Sequence, residues 1–314
     1  MRYCFGIDIG GTSIKCGLFT QDGTVVRKWE IPTNREAGGV KIPGELAASI
    51  SGVMGEENIT ADQVIGVGMG VPGPVLADGT VLLCPNLGWD HINVRTMMEQ
   101  LLGVPVRVGN DANVAALGEQ WKGGGRGYSD MLMVTLGTGV GGGLILGGKI
   151  VCGSNGAAAE IGHIVVNPAE TDRCGCGCRG HLEQYVSATG IVRMAKKRLA
   201  EESVATSLHG FDKLTAKDIF DEAKKGDEVA CSLVDTLGSY LALALSHVAA
   251  VADPVAFVIG GGVSKAGSIL IDVIEKHYND NILPALRGKV FRLAELGNDA
   301  GIFGAARMTL EERA

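Results

Sequence analysis

The sequence predicts an α/β protein built from two related halves. Short apolar runs read as strands and alternate with helical segments, the pattern of a sheet layered with helices. The order strand, glycine turn, strand, tight turn, strand occurs twice, over residues 3–32 and again over residues 131–153. Gly137 stands 127 residues after Gly10 and the Gly148 turn 125 residues after Gly23, which suggests a duplicated domain. Glycine accounts for 48 of the 314 residues, about twice its usual ~7% share, which implies many tight turns or backbone that must approach a ligand closely. A chain of this length suffices for about two domains with a sizeable core.

In the first half, residues 3–9 (YCFGIDI) form a strand that runs into the turn GGTS at 10–13. A second strand, IKCGLFT, follows; Asp22-Gly23 is a two-residue hairpin signal, and VVRKWEIP returns as the third strand. Residues 43–58 are helical in composition, VIGVGMGVPGPV (64–75) is a buried strand entering a Gly/Pro turn, and residues 93–102 form a short helix. VPVRVGN (104–110) is a strand and ANVAALGEQWKG (112–123) a helix, with GGGRGYS as a flexible joint after it. In the second half, MLMVTLG (131–137) is a strand, TGVGGG a glycine-rich turn, LILGG a strand turning at Gly147-Gly148, and KIVCG the third strand. Helices follow at 185–201, 215–225 and 228–251, then the strand VAFVIGG, a glycine turn entering a helix over GGVSKAGSILIDVIEKHY, and a last helix at 300–313.

Composition narrows the function classes. A net charge of −7 argues against a nucleic-acid surface, which needs clustered Lys and Arg. The longest apolar run, residues 240–260, is interrupted by His247, Asp253 and Pro254, and reads as a buried helix followed by a strand rather than a membrane span. No signal peptide is expected ahead of the first strand. Cys4, Cys16, Cys84, Cys152 and Cys231 lie scattered in apolar runs and read as small hydrophobes of a reducing cytoplasm. His91, His209, His247 and His277 are expected to be surface or core residues without chemistry.

Several positions carry chemistry. From Glu160 to Glu183 the chain reads EIGHIVVNPAETDRCGCGCRGHLE. Three alternate cysteines, Cys174, Cys176 and Cys178, are bracketed by His163 and His181, a dense set of the thiol and imidazole donors that zinc requires. Asp8 sits within an apolar strand, where a carboxylate is costly unless a metal or donor compensates it. Gly10, Gly11 and Thr12 follow it directly, and glycine turns at strand ends let amide N–H groups reach phosphate oxygens. Thr138 and Gly139 repeat the device, and Gly261 and Gly262 offer a third turn before a helix. No GxxxxGK[ST] loop is present, and no GxGxxG opens a Rossmann unit. Asp111 stands where a strand meets a helix: an N-cap on one reading, a general base on the other, and the sequence alone favours the cap.

The set DIGGT (8–12), GNDANVAALGE (109–119), LGTGVGGG (136–143), EIGH (160–163), CGCGCRGHLE (174–183) and GGGVS (260–264), in this order, resembles the ROK family of sugar kinases over nearly the whole chain, and its glucose-phosphorylating bacterial members most. The resemblance implies an actin-like, ribonuclease H-like ATPase fold: two related α/β domains around a nucleotide cleft, residues 1–118 with 300–314 and residues 119–299, the last helix packing back on the first domain. It implies ATP-dependent phosphorylation of D-glucose at O6, with Mg²⁺, a structural Zn²⁺ and a homodimer or homotetramer in the cytoplasm, and no nucleic-acid or membrane partner. Asp111 would be the catalytic base. Gly70, Pro72, Gly73, Asn86, Asn110, Asp111, Glu160, His163 and Glu183 would hold the sugar. Asp8 would hold Mg²⁺, and Gly10, Gly11, Thr12, Lys15, Thr138, Gly139, Gly261 and Gly262 would surround the nucleotide.

In one respect the sequence departs from the family pattern Cys-x-Cys-Gly-x-x-Gly-Cys-x-Glu. Cys174, Cys176, Gly177, Gly180 and Glu183 match, but His181 stands in place of the third cysteine. The expected zinc ligands are therefore His163, Cys174, Cys176 and His181, with Cys178 as the alternative to His181. One ring nitrogen of His163 would bind the metal and the other the sugar. Other hexoses, among them N-acetylmannosamine, N-acetylglucosamine and fructose, and polyphosphate as donor, are compatible with the same residues. A sugar-sensing repressor, also found in the family, would need a DNA-binding segment before the DIGGT strand. An actin-like filament protein would not need the sugar motif.

Overall fold

The computed structural model describes residues 1–201 and 204–310. The chain divides into two compact units: residues 1–129 with 143–159 and the residues from Leu296 on, and residues 130–142 with 160–295. This division keeps residues 119–129, 143–159 and 296–299 with the first unit, unlike the 118/119 and 299/300 boundaries expected from sequence. A break at 118 would fall inside a continuous helix, Asp111–Lys122.

The first half of the chain contains β1 (Tyr3–Ile9), β2 (Ser13–Thr20), β3 (Val25–Pro32), α1 (Ile42–Glu56), β4 (Val64–Val71), β5 (Thr80–Cys84), β6 (Trp89–Asn93), α2 (Val94–Leu102), β7 (Val106–Asn110) and α3 (Asp111–Lys122). Its main sheet has the order β3-β2-β1-β4-β7; β1 to β3 form an antiparallel meander, and β1, β4 and β7 run parallel. The antiparallel β5–β6 hairpin is an element the sequence reading lacks, because its four-residue turn, Pro85 to Gly88, carries no Asn-Gly or Asp-Gly signal.

The second half contains β8 (Met131–Leu136), β9 (Val140–Leu146), β10 (Lys149–Ile150), α4 (Glu183–Val186), α5 (Ala188–Glu201), α6 (Ala216–Lys224), α7 (Glu228–Ala252), β11 (Ala256–Gly260), α8 (Ser268–Asn281), β12 (Val290–Leu293) and α9 (Ala300–Leu310). Its sheet has the order β10-β9-β8-β11-β12, with β8, β11 and β12 parallel. Both sheets thus pair a three-strand meander with two parallel strands, the topology expected of a duplication. Residues 311–313, expected in the last helix, lie outside the described residues. Two expectations are corrected. The glycine run after Gly139 is not a turn, since β9 starts at Val140. Gly260 to Gly262 do not open an α-helix: a short 3₁₀ turn, Val263–Ala266, intervenes, Gly267 breaks it at φ +82°, and α8 starts at Ser268.

Among the described residues one helix, α7, is long and apolar enough to cross a membrane by length and composition. Its residues Val229, Leu233, Leu237, Leu241 and Leu245 recur every four positions and are buried, and the helix packs on α6 and α8. It is a core helix of the second unit, as its interrupted sequence predicts.

The first unit is shaped by how β1 and β4 distribute side chains. Phe5, Ile7 and Ile9 of β1, and Val67, Met69 and Val71 of β4, belong to one apolar core with Leu46 and Ile50 of α1 and Met98 of α2. Alternation turns Cys4, Gly6 and Asp8 to the opposite face, together with Gly66, Gly68 and Gly70. There α9 lies against the sheet. A Cβ on Gly6 would run into the Ile302 carbonyl, and one on Gly68 into that of Ala305. The same closeness holds between α9 and α3, where a Cβ on Gly304 would collide with the Val114 carbonyl and one on Gly118 with that of Ala300. Backbone meets backbone here, which only glycine permits. We therefore expect Gly304→Ala to destabilise the protein by about 3 kcal/mol in urea denaturation, as overpacking a tight core does. Gly52→Ala on α1, where a Cβ meets nothing within 4 Å, is expected to be neutral or stabilising.

Candidate active site

In the first unit, the ends of three parallel strands bring the predicted residues together. Asp8 of β1 is in register with Gly70 of β4, Gly70 with Gly109 of β7, and Val71 with Asn110. Asp111 begins α3 one residue later. The cap of that helix is not Asp111, as the sequence favoured, but Asn110, whose Oδ1 accepts the Asn113 N–H at 3.1 Å. Asn110 also donates from Nδ2 to the Gly73 carbonyl (3.1 Å) and to Asp111 Oδ1 (3.0 Å), and Ala112 N–H donates to the same Oδ1 at 2.8 Å. A capping residue that also donates to its neighbour thus holds the Asp111 carboxylate in one orientation.

Asp8 faces that carboxylate electrostatically. Burial pushes its carboxyl up to about 6, the Asp111 charge pushes in the same direction, and Lys15, paired with Asp8 across β1 and β2, opposes both. Gly301 makes room for Asp8: a Cβ there would stand 2.5 Å from its Cγ. Two carboxylates in one poorly solvated place form an electronegative centre, a fitting seat for a divalent cation. The turn after β1 is closed by Gly10 N–H to the Ser13 carbonyl, and Thr33 holds it through the Gly10 and Thr12 carbonyls. Asn86, in the β5–β6 turn, lies beside Gly11, whose Cβ would be 3.9 Å from that of Asn86. Gly73, which follows Pro72, packs against the Leu83 carbonyl of β5. The Lys15 ammonium donates to the Asn298 carbonyl at 3.3 Å.

In the second unit, the turn Gly137-Thr138-Gly139 and Gly261 sit at the ends of neighbouring parallel strands. Gly260 pairs with Thr135, and Gly261, at φ +84°, lies on the Leu136 backbone where a side chain would collide. Glu160 starts a 3₁₀ turn, Ile161–His163, that packs through Gly162 on the Val140 carbonyl. Glu160 and His163 both remain substantially exposed, with His163 Nε2 4.0 Å from Glu160 Oε2.

His163 turns its other nitrogen to the cysteine loop. Its Nδ1 lies 3.1 Å from His181 Nδ1, and Cys176 Sγ lies 3.2 Å from that same His181 atom. Ligand atoms of His163, Cys174, Cys176 and His181 all lie within 4.8 Å of one another. Two thiols and two imidazoles are a donor set that fits a tetrahedral zinc. Cys178 is outside this cluster. The loop is a tight hairpin in which Cys174 N–H donates to the Cys178 carbonyl at 2.7 Å, and Cys178 is exposed. Burial pushes the Cys174 thiol up to about 11, whereas the Cys178 amide lowers that of Cys176. Burial and the neighbouring His163 lower His181, so neutral imidazole, the ligating form, is favoured. Glu183 stands behind the knot. Its Oε2 accepts the Val140 N–H at 3.1 Å, and its Oε1 accepts the Cys174 thiol at 3.4 Å.

Sequence reasoning missed two supports of this unit. Arg193 of α5 donates to Glu170 (2.8 Å), Asp172 (3.0 Å) and the Gln184 carbonyl (3.1 Å); burial pushes Glu170 up, but the Arg193 guanidinium, the Asp172 amide and the Tyr185 hydroxyl together hold it well below the usual carboxylate range. The Ser187 hydroxyl donates to the Glu183 carbonyl and the Thr189 hydroxyl to the Thr138 carbonyl, the two hydroxyl oxygens lying 3.0 Å apart. Arg193 lies in the second turn of α5 and Ser187 and Thr189 at its start, and no local motif marked them.

The duplicated sheet, three antiparallel strands joined to two parallel ones, is that of the actin-like ATPase fold. The chain belongs to the ROK family, whose model matches residues 4–312. It is 42% identical to the glucokinase of Halalkalibacterium halodurans, over 99% of this chain and 96% of that one. It is 36% identical to the glucokinase of Streptomyces coelicolor, over 99% and 98%. Among solved structures, the ROK family glucokinase of Streptomyces griseus, in complex with glucose and AMPPNP, superposes with a TM-score of 0.75 at 37% identity, covering 98% of both chains.

The raised Asp8 pKa has a consequence for stability. Because the folded value, about 6, lies above the unfolded one, the contribution of this group is fully present below about pH 4 and is lost as pH rises through 6. Asp8→Asn removes that loss. In the absence of ligand and divalent cation, the variant is expected to gain on the order of 2–3 kcal/mol over wild type at pH 7.5 relative to their difference at pH 4, read from urea denaturation.

Proposed function

We propose that this chain transfers the γ-phosphoryl group of ATP to O6 of D-glucose, with Asp111 as general base. The observation that carries the reading is the Asp111 carboxylate, oriented by Asn110, which takes the capping role, at the end of parallel strands beside Asp8. The near full-length likeness to glucokinases supports glucose as the acceptor. In the reaction Asp111 takes the proton of the O6 hydroxyl as that oxygen bonds to the γ-phosphorus. The bond from the γ-phosphorus to the β-γ bridging oxygen breaks, and ADP leaves. Phosphoryl transfer of this kind depends on position and charge more than on covalent help.

The remaining roles are those the family resemblance implies. Asp8 would hold Mg²⁺, which neutralises phosphate charge when bound. Gly10, Gly11, Thr12 and Lys15 line the phosphate side of the first unit, and Thr138, Gly139, Gly261 and Gly262 the nucleotide side of the second. Asn110, Gly70, Pro72, Gly73 and Asn86 bear on the sugar from the first unit. Glu160, the Nε2 side of His163, and Glu183 offer carboxylate and imidazole acceptors to the C1–C2 edge, where each oxygen accepts a hydroxyl proton in a fixed direction. A structural zinc on His163, Cys174, Cys176 and His181 would fix the tautomer and aim of His163. The enzyme is taken to assemble as a homodimer or homotetramer, which light scattering would test.

Three outcomes are expected. In an ADP-release assay over hexoses and N-acetylhexosamines, glucose gives the highest kcat/KM; turnover of only an acetylated sugar would move the assignment to another hexose. Asp111→Ala lowers kcat by about 10²–10⁴-fold, the usual weight of a general base, with the fold unchanged by circular dichroism. Purified protein carries one zinc per chain by elemental analysis; Cys178→Ser retains it and His181→Ala loses it. Retention by His181→Ala together with loss by Cys178→Ser would reverse the ligand assignment.

A further inference from the structure

The turn Gly137-Thr138-Gly139 is held from one side by a single short segment, residues 183–189. Ala188 N–H donates to the Gly137 carbonyl at 2.8 Å. Thr189 Oγ1 donates to the Thr138 carbonyl at 2.7 Å. Glu183 Oε2 accepts the Val140 N–H at 3.1 Å. Three successive peptide groups are therefore tied to the start of α4 and α5. The segment is itself fastened by Ser187, which is fully buried. Its hydroxyl donates to the Glu183 carbonyl (2.7 Å), accepts the Gly190 N–H (2.9 Å) and lies 3.0 Å from Thr189 Oγ1.

Peptide geometry turns this into an aim. In a trans peptide the C=O and the following N–H point in opposite directions, and the chain has no cis peptide among the described residues. Drawing the carbonyls of Gly137 and Thr138 back toward α5 therefore points the N–H groups of Thr138 and Gly139 away from it. Two successive amides facing the same way form an anion-binding concavity. Of the bonds that set this direction, that from Thr189 is the only one made by a removable side chain to a turn carbonyl.

We propose that Thr189 is a positioning residue for nucleotide binding: its hydroxyl, backed by Ser187, orients the Thr138 and Gly139 amides toward the phosphates of ATP. The inference rests on the reading above that this turn faces the nucleotide. It adds that the same α4–α5 segment sets both that turn and, through Glu183, the back of the metal knot.

The test uses the full chain with zinc bound. Thr189→Val, which keeps the shape and removes the hydroxyl, is expected to raise KM for ATP about tenfold while leaving KM for glucose within twofold and zinc content at one per chain. Thr189→Ser is expected to restore KM for ATP to within about threefold of wild type. Backbone amide exchange with and without AMPPNP separates the inference from its premise. If AMPPNP fails to protect the Thr138 and Gly139 amides in wild type, the turn does not face phosphate and the premise falls, taking the inference with it. If protection is present, but Thr189→Val shows the same protection and the same KM for ATP, the premise stands and the positioning role is refuted. A lower melting temperature with unchanged KM for ATP likewise refutes it, since that is a packing role alone.

Discussion

Two carboxylates held in one place against their mutual repulsion are the constraint on which the first unit depends. The parallel register of β1, β4 and β7 sets Asp8, Gly70 and Asn110 abreast, and α3 presents Asp111 one residue on. Left alone, the arrangement is unfavourable: burial, with the Asp111 charge adding to it, raises the Asp8 pKa. Rigid strands keep it in place because the opposite sheet face is anchored by a continuous apolar core. The helix face is tolerant for a different reason: glycines at 6, 68 and 301 let α9 come close without displacing Asp8. In the proposed reaction, the charge that makes the site costly would serve a phosphate–metal pair and a deprotonating sugar hydroxyl.

The second unit solves a different problem, that of holding a long irregular segment in shape. Residues 160–190 contain little regular structure, so their backbone groups must be satisfied individually. Short pairings do this: Val166 and Asn167 N–H to the Gly180 carbonyl, Leu182 N–H to Ile164, and Cys174 N–H to Cys178. Arg193 and Gln184 then tie the loop to the helices behind it. The converging thiols and imidazoles are the remaining part of the brace. Glu183 is common to both ends, with one oxygen toward Cys174 and the other on the amide at the start of β9.

Much of this was legible in the sequence because the signals are local. Strands β1 to β3 follow from alternation and Asp22-Gly23, and α7 from apolar residues at four-residue spacing. The duplicated order follows from spacing. The cluster of His163, Cys174, Cys176 and His181 was readable as donor chemistry. What was not legible depends on competition between neighbours or on tertiary approach. Asn110 and Asp111 are both good caps, and only the fold shows that Asn110 takes that role. Glycine after Gly139 looks like a turn but continues as strand, since β9 pairs with a neighbour that supplies the regularity. The alternation Gly66, Gly68, Gly70 reads as a buried strand; that it is a landing surface for a helix more than 200 residues away is visible only in three dimensions. Ser187 and Thr189 carried no signal because their partners lie about 50 residues upstream or in the adjoining helix turn.

The glycine-lined contact of α9 also has a bearing on how the protein is made. Synthesis runs from the N-terminal side, so β1 to β7 leave the ribosome long before the helix that covers one face of their sheet. Until residues 300–310 emerge, that face offers a shallow, nearly side-chain-free trough around Asp8, and the first-made unit is the last to be completed. Its maturation is thereby tied to full translation of the second unit, so a stalled or truncated chain would leave an open sheet for chaperones or proteases to engage.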